Sequence, residues 1–265
     1  MFGERLISGI VLVILAIASI VIGGNVLLAV VTILALIGQY ELYRVIKTEK
    51  NILGIFGYIA TFLYGSLLLL QKEVYLEAYI LLILIIFMSI YVIAYPKFVF
   101  QQIAMAFFGV IYIPVMLSCL YQVRCMDGGK YLVWIIFIAA WGSDTCAYCA
   151  GKLFGKHKLP TALSPKKTIE GCVGGILGAG LIAFIYAFLL KKELSAYGCS
   201  IAAYTIVGAL GAICSQIGDL AASAIKRNYD IKDYGKLIPG HGGVMDRFDS
   251  ILFTAPLAYI LFTII

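Results

Sequence analysis

The chain has 265 residues, 63% of them hydrophobic and only 13% charged, with a formal net charge of +6. A water-soluble domain carries roughly twice that charged fraction, so neither a soluble globular protein nor a disordered chain fits, and the natural solvent is lipid. The basic excess points to cytoplasmic loops and anionic headgroups or phosphates, not to nucleic acid, because a lipid-embedded chain offers little surface to a polynucleotide.

Hydropathy divides the chain into nine predicted spans, over residues 6–22, 25–43, 51–70, 75–95, 99–121, 131–151, 171–190, 201–225 and 248–265. Their apolar runs are continuous, not alternating, which predicts membrane-spanning helices and excludes a barrel. The expected fold class is therefore all-α, a polytopic integral membrane protein with about nine transmembrane helices. The first run, from Leu6 to Val21, is long enough to span and no small-residue cleavage site follows it. It reads as a mature helix and not a signal peptide.

Lysine and arginine placement sets the expected orientation. Fifteen of the twenty fall on the N-terminus and on the loops after spans 2, 4, 6 and 8. The positive-inside rule then puts the N-terminus and the two most polar loops in the cytoplasm and the C-terminus outside. Residues 1–130 are nearly featureless and read as a scaffold and candidate dimer surface. Their Glu41 and Glu77, near predicted helix ends, read as snorkelling or helix-capping residues. Residues 131–265 collect the intramembrane acids, glycines and basic loops, and read as the catalytic region.

Span 6 brings the first polar group, Trp141-Gly-Ser143-Asp144-Thr-Cys-Ala-Tyr148-Cys-Ala-Gly151. Asp144 and Tyr148 are one helical turn apart and face the same way. Cys146 and Cys149 have the spacing of a metal or redox pair, but no second pair accompanies them. With seven cysteines mostly in apolar runs, small apolar filler is the better reading. His157 belongs to a solvated basic loop. Ser164-Pro-Lys166-Lys167-Thr168-Ile-Glu170-Gly171 then reads as an anion-binding loop with a helix start at Thr168; ordinary positive-inside anchoring is the competing explanation.

Span 8 contains Ser215-Gln-Ile-Gly-Asp219-Leu-Ala-Ala-Ser223-Ala-Ile-Lys226-Arg227. Positions 219, 223, 226 and 227 share one helix face. Burying Asp219 in a bilayer costs at least ~2.5 kcal/mol, so it needs a purpose, either chemistry or a structural Asp–Lys pair between helices. The loop that follows, Lys232 to Asp249, is rich in glycines whose N–H groups can approach an anion closely. Asp246 and Asp249, three apart at the start of span 9, suit a hard cation such as Mg²⁺, and His241 is a candidate phosphate contact. Carboxylates from three helices beside lysines and glycine N–H groups point to phosphoryl or nucleotidyl transfer onto a lipid.

The run Ser223-x-Ile-Lys226-Arg227-x4-Lys232-Asp233-x-Gly235-x2-Ile-Pro239-x-His241-Gly242-Gly243-Val-x-Asp246-Arg247-Phe-Asp249 resembles the signature of the phosphatidate cytidylyltransferases, the CDP-diacylglycerol synthases, without a departure over its 27 positions. The Ser164–Gly171 loop and the Asp144 region are similar to that family as well. The resemblance implies an all-helical, dimeric enzyme that converts CTP and phosphatidic acid to CDP-diacylglycerol and pyrophosphate. It implies a requirement for Mg²⁺, with a monovalent cation such as K⁺ as a candidate second ion. It also implies Asp219, Asp246 and Asp249 as metal ligands, and Lys226, Arg227, Lys232, His241 and Arg247 as phosphate contacts. Asp144, Ser164, Lys166, Lys167, Thr168, Glu170, Ser223, Asp233, Gly242 and Gly243 complete the candidate substrate-binding set.

Two other readings stay open at the level of sequence. A CTP-dependent kinase for a lipid alcohol would need a base such as Asp233 or His241. An ion-coupled transporter would use Asp144 and Asp219, although the two halves show no matching broken helices.

Overall fold

A computed structural model describes residues 2–161, 163–238 and 242–264. Each predicted span overlies one long helix: α1 (Phe2–Ile22), α2 (Gly24–Val45), α3 (Ile52–Leu69), α4 (Leu76–Ile93), α5 (Phe100–Cys125), α6 (Gly129–Phe154), α7 (Ile169–Leu189), α8 (Ile201–Asn228) and α9 (Met245–Ile264). Among the described residues, α2 to α9 are long and apolar enough to cross a membrane, and α1 contributes the shorter apolar stretch Gly9–Ile22. No strand occurs among them; two isolated bridges, Lys158–Thr168 and Ile238–Gly242, are the extended pairings. The protein is all-α and polytopic.

Helix starts follow local chemistry. Asn51 caps α3 by accepting N–H bonds from Leu53 and Gly54 at 2.9 and 3.3 Å, and Ser200 caps α8 through Ala203 at 3.0 Å. In each case a short polar side chain satisfies a donor that the first turn leaves without an intrahelical partner. Two helices contain a π-turn. In α5 it spans Ile111–Val115 around Pro114, which has no N–H to give. In α6 it spans Ile138–Gly142 and ends where Ser143 and Asp144 begin, a position where such turns often accompany function.

The chain divides into two compact units, residues 1–118 with 233–247, and residues 119–232 with 248–265. In the first unit, Gln39 is completely buried and knits helices together. Its Nε2 donates to Tyr43 Oη at 2.9 Å and to the Gly57 carbonyl at 3.2 Å, while Oε1 accepts from Thr61 at 2.6 Å. The Tyr43 hydroxyl in turn donates a hydrogen bond to the Ala106 carbonyl at 2.6 Å. Every buried polar group in this network has a partner, as an apolar interior requires. Gly57 and Gly109 make room for the Tyr43 side chain, where a Cβ would lie 2.2 Å from its hydroxyl and 2.7 Å from its ring, respectively.

The second unit holds α6, α7, α8 and the body of α9. Lipid tails are as apolar as leucine, so helices in a bilayer associate through close approach at small residues. Gly174 and Gly178 of α7 face α6, where a Cβ would meet Ala150 at 2.2 Å and Cys146 at 2.5 Å. Gly208 and Gly211 of α8 approach Ala183 and Ala139 in the same way. Tyr186 and Tyr204 both donate to the Tyr131 carbonyl, at 3.1 and 3.3 Å.

Candidate active site

The second unit encloses a cavity of about 410 Å³ lined by Asp144, Ala147, Tyr148, Gly151 and Lys152 of α6, Lys166, Lys167 and Thr168 of the loop, Gly171 and Cys172 of α7, and Gln216 of α8. The cavity thus combines one carboxylate with three lysines. The loop is held by Leu159 N–H donating to the Lys167 carbonyl and Ile169 N–H to the His157 carbonyl, both at 2.9 Å. Thr168 caps α7 as its spacing predicts, accepting from Gly171 N–H at 3.1 Å. Close approach needs glycine here: a Cβ on Gly151 would stand 3.0 Å from Thr168 Oγ1, and one on Gly171 2.9 Å from the Ala147 carbonyl.

Lys167 forms an ion pair with Asp219, both side chains being about a quarter to a third exposed. The Asp–Lys pair weighed from sequence therefore exists, with its lysine supplied by the loop before α7. Gly218 lets α9 come close beside Asp219; a Cβ there would lie 2.7 Å from the Asp249 carbonyl and 2.9 Å from the Phe253 ring. Asp249 interacts electrostatically with Asp219 and Asp144, and with Lys226 of opposite sign. Its Oδ1 accepts the Ser250 N–H at 2.8 Å. Gln216, three positions before Asp219, donates to the Cys172 carbonyl at 2.9 Å and to Ser143 Oγ at 3.4 Å, tying α8 to α7 and α6.

Among the described residues, no group of three or more His, Cys, Asp and Glu side chains is arranged to hold a metal ion. The donor chemistry nevertheless fits a hard cation. Asp144, Asp219 and Asp249 share one neighbourhood, and carboxylate oxygens are what Mg²⁺ prefers.

The remaining expected residues fall as follows. Glu170 accepts from His157, through N–H at 3.1 Å and ring Nδ1 at 2.6 Å, so it shapes the loop. Ser164 takes part in the same loop, its carbonyl accepting Lys167 N–H at 3.1 Å. Ser223 and Lys226 are half-buried on α8, while Arg227 and Lys232 are exposed. These lie in the second unit. Asp233, Gly242, Gly243, Asp246 and Arg247 belong to the first, so the signature segment is divided between the units. His241 lies outside the described residues.

Asp246, expected as a metal ligand, also has a role within its own loop. It is buried, and its Oδ2 accepts N–H bonds from Tyr234 at 2.8 Å and Gly243 at 3.0 Å. Gly243, expected to cradle substrate phosphate, thus gives its N–H to an internal carboxylate. The physical reason is proximity, because an acid three residues along is always present whereas a substrate is not. Sequence reasoning missed Lys152 and Gln216 as cavity residues. Gln216 had a usable signal, a large polar side chain in an apolar helix one turn from an aspartate.

A family model, the Cytidylyltransferase family, matches residues 3–265. The chain is 32% identical over 263 residues to the phosphatidate cytidylyltransferase of Staphylococcus haemolyticus, covering 97% of each chain. It is 29% identical to that of Bacillus subtilis, covering 97% of this chain and 96% of the relative. It is 36% identical over 170 residues to that of Thermotoga maritima, covering 64% of this chain and 63% of the relative.

Proposed function

The chain belongs to the cytidylyltransferase family, and from that premise we propose that it transfers the cytidylyl group of CTP to phosphatidic acid, releasing pyrophosphate and leaving CDP-diacylglycerol in the membrane. The observation that carries the reading is the cavity of about 410 Å³ in which Asp144 stands with Lys152, Lys166 and Lys167. A polyphosphate needs this cationic lining, and a helix-borne position gives a lipid headgroup access to it.

In the reaction an oxygen of the lipid phosphate forms a bond to the α-phosphorus of CTP, and the bond from that phosphorus to the β-phosphate bridge breaks. The lipid phosphate is already anionic near neutral pH, so no dedicated base is required. That agrees with a cavity lined by Lys152, Lys166 and Lys167. The larger barrier is the approach of two anions, which Lys166, Lys167 and Lys226 lower by neutralisation and positioning. Arg227, Lys232 and Arg247, all exposed, are proposed phosphate contacts, as is His241.

Asp219 and Asp249, with Asp144, are the proposed holders of Mg²⁺. When bound there, Mg²⁺ would supply charge neutralisation at the phosphates, and a monovalent cation such as K⁺ is a candidate companion. Asp246 is proposed as a further ligand, as the family resemblance implies, besides accepting two N–H bonds within its own loop. A cytoplasmic N-terminus and active site, an external C-terminus and a homodimer belong to the same proposal; cross-linking in native membranes tests the dimer.

The deciding assay uses purified protein in detergent with α-labelled CTP, Mg²⁺ and phosphatidic acid. Label entering the lipid supports the proposal. Label remaining in CDP, with only the γ-phosphate reaching a lipid alcohol, would instead establish a kinase.

A further inference from the structure

Glu41 and Asp246 are the two buried carboxylates among the described residues, 3% and 8% exposed. Both bind the same loop. Glu41, on α2, reaches residues some two hundred positions away: Oε1 accepts Val244 N–H at 3.0 Å and Oε2 accepts Met245 N–H at 2.9 Å. Those donors stand at the start of α9, where N–H groups have no intrahelical acceptor. One turn further along α2, Arg44 donates to the Tyr234 carbonyl at 2.5 Å. The Tyr234 N–H is held by Asp246, so this one residue's two peptide groups are fixed by opposite charges.

The glycines of the loop explain themselves against Glu41. A Cβ on Gly235 would lie 2.2 Å from Glu41 Oε1, and one on Gly243 would lie 2.4 and 2.5 Å from its two oxygens. The carboxylate cannot step aside without giving up both N–H bonds in a buried site, where lost partners are expensive. Gly235 and Gly243 therefore admit an internal anion, whatever other task they have. Nothing about a scaffold helix calls for a buried acid at this position; a leucine would be cheaper in both lipid and protein.

We propose that Glu41, assisted by Arg44, is a positioning residue for the transfer reaction. It fixes the peptide groups of Tyr234, Val244 and Met245, and through them the start of α9 that carries Arg247. The inference rests on the cytidylyl-transfer reading for its kinetic consequence, although not for the anchoring itself.

The test compares wild-type protein in detergent with Glu41→Gln, Gly243→Ala and the double variant Glu41→Gln/Gly243→Ala, and uses Glu77→Gln as control. Glu41→Gln keeps size and folding but presents an amide to N–H donors. It should lower kcat for label transfer about tenfold or more with KM for CTP changed less than about threefold, because misaiming costs rate more than affinity. Gly243→Ala should do the same, and the double variant should lose no more than the worse single one, since both changes act through one contact. Glu77→Gln should retain wild-type kinetics. Hydrogen exchange at the Val244 and Met245 amides, followed by mass spectrometry, should accelerate about tenfold or more in Glu41→Gln. Unchanged kcat in Glu41→Gln, or losses that multiply in the double variant, would overturn the positioning role, and unchanged exchange would overturn the anchoring. Wild-type protein that transfers no label would sink the reaction reading alone; the exchange result would still decide the anchoring.

Discussion

Lys167, in the loop before α7, is ion-paired with Asp219 in the middle of α8, 52 positions along the chain. Partly exposed pairs contribute less than about 1 kcal/mol to stability, so the consequence of this one is placement. It holds the basic loop over an intramembrane carboxylate, and a phosphate arriving in the cavity must compete with Asp219 for the same ammonium.

Removing each partner should therefore have a different effect. Lys167→Ala should raise KM for CTP about tenfold with a smaller change in kcat. Asp219→Ala should cut kcat by about a hundredfold or more, since it removes charge organisation at the reacting phosphates. Steady-state kinetics on protein that elutes as a single detergent peak checks both, and near-normal rates in Asp219→Ala would defeat its proposed role.

Chelation is the companion experiment. EDTA should stop label transfer and added Mg²⁺ should restore it, because the proposed site offers only oxygen ligands to a hard cation. Activity that persists in excess EDTA counts against Asp219 and Asp249 as metal holders.

Asp246 should behave unlike Asp219. Asp246→Ala strands the N–H groups of Tyr234 and Gly243, each worth about 1–3 kcal/mol when left buried and unpaired. Thermal unfolding in detergent should show a clear drop in Tm for Asp246→Ala, a smaller one for Asp246→Asn, and little change for Asp219→Ala. Equal Tm values for all three would contradict the loop-anchoring assignment.

The packing of α6 on α7 predicts a steep size limit. Gly174→Val would drive a side chain into Ala150, while at Gly180 a Cβ meets only Ala209 at an ordinary 3.5 Å. Gly174→Val should destabilise by about 1–3 kcal/mol through overpacking and lower activity as Asp144 moves with α6. Gly180→Ala should be tolerated. Comparable Tm values for the two variants would argue against the close helix approach.

Orientation can be read with thiol reagents. Cys125, exposed at the end of α5, falls on the side assigned to the exterior. An impermeant maleimide applied to intact cells should modify Cys125 but not a cysteine introduced as Lys158→Cys in the loop assigned to the cytoplasm. Cys199 is assigned to the exterior side too, but it is buried, and desolvation pushes its thiol above the usual range. A raised pKa means less thiolate at neutral pH and slower reaction, so it should stay unlabelled. The reverse pattern would invert the topology.

Much of this was legible in the chain itself. Continuous apolar runs of about twenty residues can satisfy their backbone in lipid only as helices, so every span and its approximate ends followed from hydropathy. Thr168 as a cap followed from local chemistry, and the cost of a lone buried charge left an Asp–Lys pair as one of two readings of Asp219. The 27-residue signature was dense enough in polar residues to mark the family. Glu41 and Arg44 were not legible as partners of the loop. On α2 they look like an interfacial acid and a positive-inside base, and their partners lie some two hundred positions downstream.

Sequence by itself thus determined the solvent, the helices, the family and the stock of acids and bases, because each depends on composition or on neighbours along the chain. Tertiary structure alone decided how the charges are spent. Lys167 goes to Asp219, Asp246 accepts N–H bonds from its own loop, and the glycines at 235 and 243 close on Glu41. A carboxylate accepts whichever donor is brought within about 3 Å, and that distance is set by helix packing, which no spacing along the chain records.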